Sequence, residues 1–65
     1  MLNRIKLELR IISDNKRLFT KFLLISIKCL KPDEVETIEI WVIENFWHSH
    51  HNEIMEAFDK AFNYT

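Results

Sequence analysis

Three histidines fall within four positions of one another, in the run Trp47-His48-Ser49-His50-His51. A neutral imidazole nitrogen is a good zinc ligand and, near neutral pH, a good proton carrier. Residues three or four apart share a flank of a helix. On a helix His48 and His51 therefore stand together, with Glu44 one turn before His48, and the three could offer a metal ion three ligands. No fourth ligand lies nearby in the sequence, and Cys29 is distant. The same spacing is that of a solvated polar strip, which is the primary reading. His50 then turns toward the apolar side as a hydrogen-bonded interface histidine. Metal binding or pH sensing through Glu44, His48 and His51 is an alternative.

Covalent catalysis is harder to build. Candidate nucleophiles are Ser13, Ser26, Ser49, Thr20, Thr37 and Cys29. None is spaced with a His–acid pair in the way an activated nucleophile requires. Glu44 and His48 form an i, i+4 pair of the kind found on many helix surfaces. The chain has no glycine, hence no glycine-rich loop to cradle a phosphate. A non-enzymatic protein without a cofactor is expected.

The C-terminal half is rich in aromatic surface. Trp41, Phe46, Trp47, Phe58, Phe62 and Tyr64 crowd residues 32–65. Trp and Tyr are favoured at binding hot spots, and they are equally good core residues in a small domain. With so many in one segment, both uses are expected. Trp41, Phe46, Trp47, Ile54, Phe58 and Phe62 are the candidate residues for self-association or partner binding.

These side chains need elements to hold them. Residues 4–11, Arg-Ile-Lys-Leu-Glu-Leu-Arg-Ile, alternate polar and apolar strictly, the period of a half-buried strand. Ile5, Leu7, Leu9 and Ile11 would line one face, with Arg4, Lys6, Glu8 and Arg10 on the other. Ser13-Asp14-Asn15 then favours a turn and a helix N-cap. The next stretch reads as a helix over 15–29, with Leu18, Phe19, Phe22, Ile25 and Cys29 as its apolar stripe. The alternative is a second strand over 17–29, in a ββα arrangement.

Lys31-Pro32-Asp33-Glu34 marks a helix start. Proline at the first helical position sacrifices no hydrogen bond, and the acids complement the positive end of the helix dipole. Nothing breaks a long helix over 33–62. Ile40, Ile43, Phe46, Trp47, Ile54, Ala57, Phe58 and Ala61 fall on one side of it. Val35, Ile38, Trp41 and Val42 fall on the others, so 35–47 is apolar nearly all round. Such a helix is buried all round, and one short preceding element cannot cover it. The expected fold is mainly α with a short N-terminal β-strand, completed as an intertwined homo-oligomer.

Size points the same way. Sixty-five residues make a single domain, and a chain so short buries only about 60% of its unfolded surface. A single cysteine excludes an internal disulfide and favours a reducing, cytoplasmic setting. The longest apolar run, over 22–27, falls well short of the roughly 20 residues that cross a bilayer, so no membrane association is expected. Heavy use of Ile, Lys, Asn and Phe suits an AT-rich coding sequence, bacterial or phage.

Charge divides the chain. Residues 1–31 hold eight Lys and Arg against Glu8 and Asp14, a balance of +6, while residues 32–65 hold Lys60 against eight acids, a balance of −7. A basic arm lying against an acidic arm of the same or a neighbouring chain accounts for this, and a nucleic-acid surface is the rival account. The order strand, Ser-led turn, helix, helix resembles the ribbon–helix–helix repressors over residues 4 to about 47. The resemblance implies paired strands entering the major groove of DNA, with Arg4, Lys6 and Arg10 contacting bases or phosphates. Pro32-Asp33-Glu34 stands where such families place a glycine turn and small polar residues beside a phosphate. The leading expectation is an adaptor, inhibitor or regulatory accessory protein that binds itself and a protein target. DNA-binding repression is the alternative.

Overall fold

The computed structural model describes residues 2–63. Helix α1 spans Leu2–Ile11, α2 spans Lys16–Cys29 and α3 spans Pro32–Asn63. The segment over 4–11 is thus a helix and not the expected strand, and the ββα alternative falls with it. A strand would need a partner for its backbone groups, whereas a helix satisfies them within its own segment. At about 100° per residue, Leu2, Ile5 and Leu9 gather on one side of α1. That side packs, with Leu9 fully buried and Leu2 and Ile5 against the core. Leu7 and Ile11 emerge on the opposite side, 57% and 63% exposed.

The corner between α1 and α2 forms as its residues predict. Ser13 Oγ donates to the Arg10 carbonyl at 2.8 Å. Asn15 has extended backbone, and its side-chain oxygen accepts from the Leu18 amide at 3.2 Å. Helix α2 carries two apolar stripes side by side. The buried one is Phe19, Leu23, Ser26 and Ile27, continuing into Leu30. From the stripe read in the sequence, Phe19 is in the core and Phe22 is half-buried, while Leu18, Ile25 and Cys29 are exposed.

Helix α3 begins at Pro32 with Asp33 and Glu34 in its first turn. Glu34 reaches back to accept from the Lys31 amide at 3.2 Å, one half of a capping box. The helix expected over 33–62 does not run straight. A straight helix of 32 residues would be about 48 Å long, yet the fold measures 29 × 23 × 18 Å. The chain bends at His50, whose backbone (φ −127°, ψ 31°) leaves the helical region. Residues 51–63 fold back along 32–49, and Phe62 comes to line a groove with Val35, Glu39 and Ile40.

With the two arms of α3 counted separately, α2 and these two arms run back and forth between two ends of the fold, and α1 packs against both α2 and α3. The 13–15 corner and the His50 bend meet at one end, and the 30–32 elbow meets Phe62 at the other. Leu9, Phe19, Leu23, Ile27, Ile38, Val42, Ile54 and Ala57 lie in the core between them. Val35, Ile38 and Val42 are inside, while Ile40 and Ile43 are at the surface. The core closes within one chain, so α3 does not need a second chain to bury it. The intertwined oligomer expected on that ground has no support in the fold. Among the described residues no helix is long and apolar enough to cross a membrane.

Candidate interaction surface

The three histidines have three different surroundings. His50 is buried, with Nε2 2.6 Å from the Ser13 carbonyl oxygen and Nδ1 2.6 Å from Ser49 Oγ. A carbonyl can only accept, so Nε2 carries a proton, and in the neutral ring Nδ1 accepts from the Ser49 hydroxyl. Its ring centroid lies 4.5 Å from that of Phe19 and 5.4 Å from that of Phe46. The expected hydrogen-bonded histidine is present, but its partner is the α1–α2 corner of the same chain.

His51 lies against Trp47, with centroids 4.0 Å apart, and His48 and Glu44 are exposed. The bend at His50 interrupts the helical register that would set His48 beside His51. Among the described residues no group of three or more His, Cys, Asp or Glu is disposed to hold a metal ion.

Helix α1 lays its cations on an aromatic ring of the acidic half. Lys6 Nζ is 5.8 Å and Arg10 Cζ 5.6 Å from the Trp41 ring centroid, within reach of a cation–π attraction. Trp41 meets Phe46 edge-on at 5.6 Å, and Phe46 meets Phe19 edge-on at 5.1 Å. Basic and acidic halves are therefore joined through aromatic faces. The ion pair Lys60–Glu56, at 3.0 Å, is exposed and internal to α3, and such pairs contribute little. Of the three residues proposed for nucleic acid, Lys6 and Arg10 lie over Trp41, and Arg4 is exposed.

The candidate contact residues sort by depth. Ile54 is in the core, and Trp41, Phe46, Trp47 and Phe58 are half-buried against it. Phe62 is 60% exposed, its ring stacked 5.9 Å from that of Phe58. Tyr64 lies outside the described residues. Phe62 lines a groove of about 560 Å³ at the α2–α3 elbow, together with the buried Ile27, Leu30 and Val35 and the more exposed Ile40, Glu36 and Glu39. Glu36 and Glu39 place two carboxylates along the edge of this apolar surface.

Of the groove's walls only Phe62 is among the candidate contact residues of the sequence, because the bend is what brings residue 62 beside residue 35. One signal was available. Val35, Ile38 and Val42 stand at i, i+3 and i+7, the spacing of an inward stripe, which leaves Glu36, Glu39 and Ile40 outside. A smaller hollow of about 280 Å³ opens on the basic half, lined by Ile12, Leu18, Lys21, Phe22 and Ile25. There the second stripe of α2 faces out. No protein-family model, curated protein or solved structure matches this chain.

Proposed function

We propose that this chain is a non-enzymatic interaction protein, an adaptor, inhibitor or accessory regulator, that presents the groove at the α2–α3 elbow to a protein partner. The observation that carries the reading is Phe62, a phenylalanine 60% exposed at a groove of buried aliphatic side chains with Glu36 and Glu39 beside it. Aromatic side chains at concave apolar surfaces are the usual anchors of interfaces. The two carboxylates favour a partner that brings cations. The ligand that fits is an amphipathic helix whose apolar face is flanked by Lys or Arg.

Titration of the full chain with a short basic amphipathic peptide, monitored by NMR, tests this. Groove binding moves the resonances of Ile27, Val35, Ile40 and Phe62, and a scrambled peptide of equal charge leaves them in place. Phe62→Ala weakens the peptide on the order of tenfold. Equal shifts with the scrambled peptide, or none with either, would overturn the reading. Binding of random duplex DNA that falls steeply with salt, with no peptide effect at the groove, would favour the DNA-binding alternative.

A further inference from the structure

We infer that, with no other partner bound, the groove is filled by the outer face of α1 from a second copy of this chain, in a head-to-tail contact. The inference rests on the groove being the working surface and names its default occupant. Leu7 and Ile11 are 57% and 63% exposed. Standing four residues apart, they form one ridge on the helix. At about 100° per residue, Arg4 falls nearest that ridge, with Glu8 beyond it on the same flank and Arg10 on the other flank. Two protruding aliphatic side chains with the Arg4 guanidinium beside them, on an arm whose net charge is +6, are the ligand chemistry that an apolar groove edged by Glu36 and Glu39 selects.

The contact must be between molecules. Helix α1 is fixed in its own chain by Leu9 in the core and by Lys6 and Arg10 over Trp41. Its ridge points away from the core, so it does not reach its own groove. Charge then decides how two copies meet. Ridge against ridge sets two basic arms together, and groove against groove sets two acidic arms together. Ridge into groove pairs opposite charges, in keeping with halves of +6 and −7, and opposite charges both speed encounter and fix register. Such a contact is heterologous, so it propagates until a ring closes or the filament runs out. A target's basic helix would have to displace α1, which makes self-association a brake on target binding.

The test is analytical ultracentrifugation of the full chain with two variants. Leu7→Gln with Ile11→Gln removes the ridge, and Ile40→Gln with Phe62→Gln removes the groove's exposed wall. All four positions are more than half exposed, and far-UV circular dichroism verifies that the helices persist. If either double change disturbs them, Ile11→Gln and Phe62→Gln alone serve. The expected result is assembly of the wild type beyond its 7.9 kDa monomer, weakened on the order of a hundredfold in each variant. An equimolar mixture of the variants should give a one-to-one dimer and nothing larger, because a single competent ridge–groove pair remains.

Assembly that survives in either variant, or a mixture that stays monomeric, overturns the head-to-tail contact. So does a monomeric wild type that sediments with anionic vesicles through Leu7 and Ile11. A monomeric wild type that still binds the basic peptide in its groove defeats this inference and leaves the proposed function standing. A chain that neither assembles nor binds the peptide defeats both.

Discussion

The chain turns at residues 13–15 and again at His50, and the two corners touch, yet they lean on local and distant bonds to different degrees. At the first corner the bonds are local. Ser13 reaches back to Arg10, and Asn15 takes the Leu18 amide, each across three residues. At the second corner no glycine or proline is present. Ser49 Oγ reaches the Phe46 carbonyl only at 3.4 Å and His50 Nδ1 at 2.6 Å, and the bond that ties the bend to the rest of the fold runs from His50 to Ser13, 37 residues away. Phe19 and Phe46 pack against the same imidazole. A bend can therefore be specified by its own side chains or by what it lands on. The first kind can begin to form before the fold does, while the second exists only within it.

The largest way to break this contrast is to remove the ring on which the second corner rests. Phe19 is fully buried between Phe46 and His50, and Phe19→Ala should cost about 3–5 kcal/mol. A chain of 65 residues has roughly 3–10 kcal/mol in total. Loss of a cooperative urea transition is the expected outcome, and a transition kept within about 1 kcal/mol of wild type would contradict the packing described.

His50→Leu keeps bulk at the bend but leaves the Ser13 carbonyl without its partner. The expected loss is about 1–3 kcal/mol, read as a lower urea midpoint with the slope unchanged. Asn15→Ala should cost about 1 kcal/mol. Its effect should be local, with faster hydrogen exchange at the Leu18 amide and little change in residues 51–63. Exchange that instead rises equally in both regions would show the corners to be one cooperative unit. The smallest effect on stability belongs to Leu7→Gln and Ile11→Gln, each within about 0.5 kcal/mol because exposed side chains lose little on substitution. Thermal unfolding at low protein concentration measures it apart from assembly.

The same division between local and distant causes explains what the sequence disclosed. The turn at Ser13-Asp14-Asn15 and the helix start at Pro32 depend on residues within a few positions, and both stand where their residue types put them. The alternation over 4–11 misled because a strand and a helix can each use it. Ile5 and Leu9 serve the helix, and Leu7 and Ile11 are the remainder that a strand would have buried. Helix α2 presents two equally regular stripes, beginning at Leu18 and at Phe19, and α3 decides between them. The bend at His50 carries no glycine or proline, and Ser49 beside it is a residue type that also sits on unbroken helices. Without the bend α3 reads as a rod, its apolar surface looks excessive, and the groove between Val35 and Phe62 does not exist. Phe62 is a candidate contact residue on sequence alone, whereas Ile27, Leu30 and Ile40 come to line the groove with it only through the bend.

The bond from His50 to Ser13 also bears on rates. Closing a longer loop adds little to its cost, about 0.6 kcal/mol for each doubling of length, but the bond needs both corners in place before it can form. Helical domains whose contacts are mostly local fold within microseconds to milliseconds. In such a sequence of events the imidazole engages late in folding and lets go early in unfolding. Interactions absent from the transition state act on the unfolding rate and leave the folding rate nearly untouched. His50 would then set the lifetime of the native state: a chain lacking it should fold as fast as before and stay folded for less time.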